Sequence, residues 1–206
     1  KDMKMYTIDE LKLLHESEDR VEFKEAKKNF PWNGGSHTQQ KDRRKCFLGY
    51  VVALANEKGG RLVLGLADEH PHQVVGSSFA KGKIGDLENE VYNHLGIRVH
   101  IYELFEGKKR VVVTEIPSRP IGKTLKFEGV PLMRTGDGLR NMPDEEVLAI
   151  LSESEPDFSE TICNGFSLED IDLEAFDIMK KSYAIKQNNP AFEELSLSQI
   201  LSDLKL

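Results

Sequence analysis

The chain has 206 residues, of which 39% are hydrophobic and 31% are charged, the usual balance of a protein with a buried core. No apolar run approaches the roughly 18 residues that a membrane helix needs. Two cysteines, Cys46 and Cys163, are too few for a disulfide framework or a zinc knuckle. These features argue against a membrane protein and a disulfide-stapled secreted domain, and they favour a reducing, cytoplasmic setting.

The formal net charge of −7 is unevenly distributed. Residues 151–206 carry 12 acidic and 4 basic residues, whereas residues 1–150 carry 23 acidic and 24 basic ones. Within the longer part, residues 20–45 hold eight Lys or Arg against three Asp or Glu. The pattern predicts an almost neutral domain with one basic segment, followed by an acidic appendage. A net acidic chain lowers the expectation of nucleic-acid binding, although a local basic field can still steer a polyanion.

The first predicted elements are a short helix, a strand and a loop. "TIDELKLLHES" opens with a capping box made by Thr7 and Glu10, and its leucines supply an apolar face. "RVEFKEA" alternates, so Val21 and Phe23 point to one face of a half-buried strand and the polar residues to the other. Residues 28–41, rich in Gly, Asn and Pro, form a loop that is long for a compact domain and is therefore either functional or mobile.

Helices and strands then alternate along the chain. "DRRKCFLGYVVALANEKGG" reads as one helix that stops at Gly59, with basic residues in its first turn, where the helix dipole disfavours them. "RLVLGLA" and "QVVG" read as strands, "GDLENEVYNHLG" as a helix, and "IRVHIYELFEGKKRVVVTEIP" as a hairpin turning at Gly107 and Lys108. "KTLKFEG" and "VPLMRTG" read as strands meeting at Gly129, and "PDEEVLAILSES" as a helix with Pro143 in its first turn.

This order of elements predicts an α/β (α+β) fold in which a mixed β-sheet is flanked by helices. We expect a domain over residues 1–152 and an acidic helical extension over residues 153–206. The extension contains two amphipathic segments and stops within an apolar pattern at Leu206, and the chain starts at Lys1 without a methionine. We therefore expect a part of a longer protein with further domains.

Five short motifs occur in a fixed order: "ESEDRVEFKEA", "ALANEKGGRLVLGLAD", "VVG", "IPSRPIGK" and "LMRTGDGLRNMPDEEV". Together they resemble the Schlafen AlbA-like domain, a bacterial family also labelled divergent AAA, over roughly residues 12–152. The segment from Leu168 to Leu206 also looks like the region that follows this domain in longer transcription regulators. The resemblance implies a nucleic-acid-binding domain, with DNA as the first expectation, inside a larger transcription-regulator protein.

The same resemblance implies an alternative function, because Schlafen-type ribonucleases cleave structured RNA with two glutamates and one aspartate. The matching positions are Glu16 or Glu18, Glu22 and Asp68. Both Glu16 and Glu18 stay candidates, since Glu16 and Glu22 are six positions apart where the family usually has five. On a strand, Glu22 and Lys24 share a face, and Glu22 with Asp68 could hold a Mg²⁺ or Mn²⁺ ion. The alternative is a plain surface ion pair between Glu22 and Lys24.

The basic segment supplies candidate contacts to nucleic acid, because basic groups track phosphates and an aromatic ring can stack on a base. The candidates are Lys24, Lys27, Lys28, Trp32, Lys41, Arg43, Arg44 and Lys45. The alternative is a solvated loop and helix start, with Trp32 folded back onto the domain.

"PSRPIGKT" ends as a P-loop does, but Pro117 stands where the first glycine belongs. The next residues, "LKFEGV", read as a strand and not as the helix whose N-terminus would receive phosphate. We therefore expect no ATP site, and no cofactor other than Mg²⁺ or Mn²⁺ for the nuclease alternative. Nucleic-acid binding, metal-dependent cleavage and a protein-interaction module stay open as functions, with a homodimer as a further option and no membrane partner.

Overall fold

A computed structural model describes residues 5–34, 39–136, 138–153 and 171–203, except for the side chains of Gln40, Leu201 and Asp203. It divides the chain into two compact units, residues 1–154 and residues 155–206. The helices of the first unit are α1 (Ile8–Lys12), α2 (Gln40–Arg44), α3 (Phe47–Asn56), α4 (Ile84–Leu95) and α5 (Asp144–Leu151). Its strands are β1 (Val21–Lys24), β2 (Gly60–Leu64), β3 (His100–Glu106), β4 (Lys109–Ile116), β5 (Lys126–Phe127), β6 (Val130–Thr135) and β7 (Gly138–Asn141).

The second unit contains α6 (Leu173–Gln187), a 3₁₀ helix (Pro190–Glu194) and α7 (Leu197–Asp203). The second of the two amphipathic segments expected in the extension is thus divided, over its described residues 190–203, between the 3₁₀ helix and α7. Asp172 caps α6 by accepting hydrogen bonds from the backbone amides of Glu174 and Ala175. In the parts of both units that the structure describes, no helix is both long and apolar enough to span a bilayer.

The described residues of the first unit contain two sheets. Four strands in the order β1-β2-β4-β3 form a mixed sheet, in which β1 and β2 are parallel and the other neighbours antiparallel. Strands β5, β6 and β7 form a small antiparallel sheet. The mixed sheet and its flanking helices confirm the predicted α+β class. The predicted hairpin turn at Gly107 and Lys108 and the strand junction at Gly129 are also confirmed.

Helix α3 lies in the core, and all ten of its residues are buried. It belongs to a cluster that includes Leu62 and Val112 of the mixed sheet and Leu132 of the small sheet, so it fills the space between the two sheets. The other face of the mixed sheet carries Val21 and Phe23, packed in a second cluster with Leu11 of α1 among others. The mixed sheet is therefore covered on both faces, which accounts for its largely apolar strands.

The long helix predicted from "DRRKCFLGYVVALANEKGG" is instead two helices that separate at Cys46. The amides of Phe47 and Leu48 donate to the carbonyl oxygens of Pro31 and Trp32, at 2.9 and 3.1 Å. The first amides of a helix lack partners within the helix, and here the preceding loop supplies them. The basic residues consequently end α2 instead of beginning α3, so the dipole mismatch inferred from the sequence disappears.

Three smaller expectations also differ from the structure. "QVVG" contributes only a single bridge, between Leu66 and Val74, and β7 was not predicted. Strand β1 is buried on both faces, because Glu22 on its polar side is only 8% exposed. The half-buried strand expected from the alternation is therefore wrong, and a carboxylate lies inside the domain.

Candidate functional site

Strand β1 places Glu22 and Lys24 on the face of the mixed sheet that α3 covers. In the parallel pairing, Glu22 lies opposite Leu62 and Lys24 opposite Leu64. Lys24 Nζ lies 2.9 Å from Glu22 Oε1 and 5.5 Å from the centroid of the Tyr50 ring of α3. The pair is thus a mostly buried ion pair and not the exposed one considered from the sequence.

The second Glu22 oxygen meets a cation from the small sheet. Arg134 Nη1 of β6 lies 3.3 Å from Glu22 Oε2 and donates to the Val21 carbonyl oxygen at 2.7 Å. The same guanidinium lies 3.0 Å from Glu57 Oε2, just beyond the end of α3. Each oxygen of Glu22 therefore contacts one cationic side chain.

Burial and the oppositely charged neighbours shift the pKa values of Glu22 and Lys24 in opposite directions. Burial raises the pKa of Glu22, and the nearby Glu16 charge raises it further, against the lowering effects of Lys24 and Arg134. Burial alone would lower the pKa of Lys24, but the charges of Glu22, Tyr50 and Asp68 outweigh it and raise that pKa above its ordinary value. The Lys24 ammonium therefore keeps its proton at neutral pH.

The acids predicted from the sequence differ in where they lie relative to β1 and Lys24. Asp68, four residues beyond β2, binds Lys24 Nζ through Oδ2 at 3.1 Å, and its side chain is half exposed. Glu16 is half-buried, and its Oε1 accepts a hydrogen bond from the Phe23 amide at 3.0 Å. Glu18 is exposed in the turn after α1. The structure thus brings Glu16, Glu22 and Asp68 to one end of β1 and leaves Glu18 outside.

Divalent ions such as Mg²⁺ need a near-octahedral shell of oxygen ligands at about 2.1 Å. Here the Lys24 ammonium lies between Glu22 and Asp68, the two residues predicted as metal ligands. The second Glu22 oxygen contacts Arg134, and one Glu16 oxygen accepts a backbone hydrogen bond. Within the described ranges, no group of three His, Cys, Asp or Glu side chains is arranged to hold a metal ion. This donor set, as arranged, does not fit a divalent metal.

An open depression of about 480 Å³ lies beside this network. Its lining comprises Lys24, Glu25, Ala26, Phe30, Ala67, Asp68 and Glu69. Three carboxylates accompany one lysine there, and that lysine is already bound to Glu22 and Asp68. The depression is therefore an acidic surface, which repels phosphate.

The remaining residues of the basic segment fall into two groups. Arg43 pairs with Glu128, and Arg44 is buried and donates to Asn141 Oδ1, so both guanidinium groups hold the fold together. The exposed members are Lys27, Lys28, Lys41 and Lys45. Lys27 Nζ is 2.9 Å from Glu25 Oε2. Of the predicted phosphate contacts, these four lysines are the most exposed.

Trp32 packs on the core with one face of its ring. It is half-buried and stacks on Phe47, with 5.1 Å between ring centroids and 20° between planes. His94 of α4 meets it edge-on at 6.4 Å. The stacked face is unavailable to a nucleic-acid base.

Two further exposed lysines, which the sequence did not predict as contacts, follow a segment that is hydrogen-bonded to the loop carrying Lys27. Ser77 Oγ donates to the Ala26 carbonyl oxygen at 2.8 Å, and Ser78 Oγ donates to the Lys27 carbonyl oxygen at 3.0 Å. These bonds join the loop after β1 to the turn that carries Lys81 and Lys83. The Lys-Gly-Lys spacing before α4 was the available signal, but it lies outside the basic segment of residues 20–45.

Comparison with solved structures finds partial likenesses. The DIP2311 protein from Corynebacterium diphtheriae is 19% identical, with a TM-score of 0.48, over 89% of this chain and 37% of that one. The N-terminal domain of a protein from Nitrosomonas europaea related to the ATP-dependent DNA helicase RecG is 23% identical, with a TM-score of 0.40, over 62% of this chain and 85% of that one. This chain thus spans little more than a third of the Corynebacterium protein.

Among curated proteins, no sequence matches the chain. The pattern of the family described as Schlafen, AlbA_2 matches residues 17–143. The match begins just before β1, includes Glu22, Lys24, Asp68 and Arg134, and ends just before α5. Because it extends over more than half of the sequence, the protein belongs to the Schlafen, AlbA_2 family.

Proposed function

We propose that this domain binds nucleic acid through an exposed cationic surface made of Lys27, Lys28, Lys81 and Lys83. The observation that carries the proposal is the pair of serine hydrogen bonds that join the two loops bearing these lysines. Two loops fixed to each other present their charges to one ligand with little loss of backbone freedom on binding. The family resemblance, which implies a nucleic-acid-binding domain, supports the same ligand class.

The charge environment also supports this surface. Lys28, Lys81 and Lys83 are exposed and form no ion pair with any residue that the structure describes. Lys27 pairs with Glu25 at the surface, where such a pair is worth less than about 1 kcal/mol and yields readily to a phosphate. Contacts of this kind neutralise phosphates without reading base sequence. The transcription-regulator context and the homodimer stay predictions.

The test is fluorescence anisotropy with labelled duplex DNA, single-stranded DNA and an RNA hairpin, in EDTA, at about 50 and about 200 mM salt. Each neutralised phosphate of a duplex contributes a slope of about −0.9 in log K against log salt. We expect the triple variant Lys28→Glu, Lys81→Glu, Lys83→Glu to bind at least tenfold more weakly and with a slope flatter by roughly 3.

The matched control reverses three exposed lysines elsewhere in the same unit: Lys108→Glu, Lys123→Glu and Lys126→Glu. This control has the same net charge as the test variant, so an effect of total charge would weaken nucleic-acid binding by both variants equally. Equal weakening, or no binding by the unmodified chain to any of the three ligands, contradicts the proposed surface. Failure to bind would leave the protein-interaction module as the better hypothesis.

A further inference from the structure

Lys24 has a central position among the acidic side chains at the end of β1. Its Nζ is 2.9 Å from Glu22 Oε1 and 3.1 Å from Asp68 Oδ2. Glu16 is close enough to raise the pKa of Glu22. The resemblance to Schlafen-type ribonucleases assigns Glu22, Asp68 and either Glu16 or Glu18 to catalysis. The ammonium thus stands where an ion shared by Glu22 and Asp68 would have to bind.

Both carboxylate oxygens of Glu22 already contact a cationic side chain. Lys24 contacts Oε1, and Arg134 contacts Oε2 at 3.3 Å. A divalent ion bound to Glu22 would have to displace one of these side chains or lie beside it. Two cations at such short range repel each other strongly in a partly buried site. The oxygen shell that Mg²⁺ requires is therefore unavailable while both side chains stay in place.

Packing also holds Lys24 in this position. Its side chain is 24% exposed, with the Tyr50 ring of α3 on one side. Its carbonyl oxygen accepts a hydrogen bond from the Gly65 amide at 2.8 Å, which fixes the end of β1 against the end of β2. The ammonium thus combines two carboxylate contacts with a backbone that has little freedom to move.

We propose that Lys24 is the resident cation of this acidic cluster and takes the place of a divalent metal ion. The cluster is then a structural ion network of the domain, and the chain engages its ligands without a bound metal. This inference does not depend on nucleic-acid binding, because it concerns only which cation Glu22 and Asp68 hold.

The test measures Mn²⁺ binding to the full chain by the loss of the electron paramagnetic resonance signal of free Mn²⁺. We expect no saturable site in the unmodified chain at Mn²⁺ concentrations up to about 1 mM, the weak end of protein sites for divalent cations. Lys24→Met removes the ammonium and leaves the two carboxylates near each other. This variant should bind one Mn²⁺ at least tenfold more tightly, and adding Glu22→Gln should abolish that gain.

Two controls separate the site from general electrostatics. Lys24→Arg keeps the positive charge and should bind Mn²⁺ as weakly as the unmodified chain. Lys12→Met breaks a lysine–carboxylate pair with a single acid, Glu106 at 3.2 Å, and should also leave Mn²⁺ binding unchanged. Circular dichroism of each variant verifies that it is folded.

Two results would overturn the inference. One is saturable binding of one Mn²⁺ by the unmodified chain that Glu22→Gln or Asp68→Asn removes, and this result decides the matter even if Lys24→Met does not fold. The other is a folded Lys24→Met variant with no gain in Mn²⁺ affinity, because Lys24 would then not be what occupies a metal position. Neither result bears on the lysine surface, which is tested separately in EDTA.

Discussion

Arg134 Nη1 lies 3.3 Å from Glu22 Oε2, so a guanidinium of the small sheet neutralises a carboxylate of the mixed sheet. The same group binds Glu57, whose Oε1 also accepts the Arg134 amide at 2.6 Å. The side chains of Arg134, Glu22 and Glu57 are 12%, 10% and 23% exposed. Removing one member of a buried ion network leaves a charge without compensation, which costs far more than the intact network contributes.

We expect Arg134→Met to lower the free energy of unfolding by about 3–5 kcal/mol, because Glu22 and Glu57 lose a shared buried partner. Urea denaturation of the full chain at pH 7, followed by circular dichroism, measures the change. Arg140→Met, at an exposed position of β7, is the matched control and should change stability by less than about 0.5 kcal/mol. Similar effects of the two substitutions would mean that Arg134 does not join the two sheets.

The alternation of residues along β1 predicted one part of this site, the position of Glu22 next to Lys24. The two-residue period of "RVEFKEA" placed Glu22 and Lys24 on one face, because neighbouring side chains of a strand alternate. Arg134 reaches Glu22 across 112 positions of the sequence, and that contact depends on how β6 packs against α3. No local pattern encodes such packing, so the burial of Glu22 was not predicted.

The break between α2 and α3 has a similar origin. The sequence "DRRKCFLGY" has no proline or glycine before Gly49, so its propensity favours one continuous helix. The carbonyl oxygens of Pro31 and Trp32 instead bind the amides of Phe47 and Leu48. Tertiary contacts of a loop therefore override local propensity, and the loop's role in ending the helix is invisible in the sequence. Lys81 was missed for a related reason, since the Ser77 and Ser78 hydrogen bonds, which join its turn to the loop that carries Lys27, are tertiary contacts.

Asn56, the last residue of α3, should be essential for the position of the small sheet. Its Nδ2 donates to the carbonyl oxygens of Leu125 and Leu132 at 3.0 and 2.9 Å, and its Oδ1 accepts from the Leu125 amide at 2.8 Å. Asn56→Ala leaves these buried backbone groups unpaired, and we expect a loss of about 3 kcal/mol in unfolding free energy. Asn93→Ala, on the exposed face of α4, is the control and should be nearly neutral.

Amide hydrogen exchange distinguishes a local role of Asn56 from general destabilisation of the fold. The Leu125 amide should exchange with solvent much faster in Asn56→Ala, because its acceptor is gone, while amides of β4 should keep their order of protection. Uniform acceleration across both sheets would contradict a local role for Asn56.

Alkaline pH should destabilise the fold through two tyrosines. Burial raises the pKa of Tyr50 and of Tyr102 to about 12, from an ordinary value of 10.0. Between these values the folded chain holds protons that the unfolded chain has released, so stability falls as pH rises. Absorbance at 295 nm, read within milliseconds of a pH jump, should lose a component near pH 12 in Tyr50→Phe and in Tyr102→Phe. Loss of a component near pH 10 would contradict the buried environment of that ring.

Acid should weaken the contact between Arg119 and Glu153, which lies just after α5. Arg119 Nη1 and Nη2 each donate to Glu153 at 2.7 Å, and these hydrogen bonds lower the pKa of Glu153 to about 2 from an ordinary value of 4.5. A lowered carboxyl pKa contributes stability that is present above pH 4.5 and is lost as pH falls toward 2. Glu153→Gln removes this dependence.

The prediction is therefore a difference in slope between pH 4.5 and pH 2, measured by urea denaturation at several pH values. The unmodified chain should lose stability more steeply than Glu153→Gln across this range, and the two curves should converge near pH 2. The control repeats the comparison in an Arg119→Gln background, where Glu153 keeps only the longer hydrogen bond from the Gly122 amide at 3.4 Å and the substitution should change the slope much less. A slope difference of undiminished size without Arg119 would show that another group sets the acid sensitivity, because the Arg119 hydrogen bonds, the largest influence on the Glu153 pKa, would already be absent.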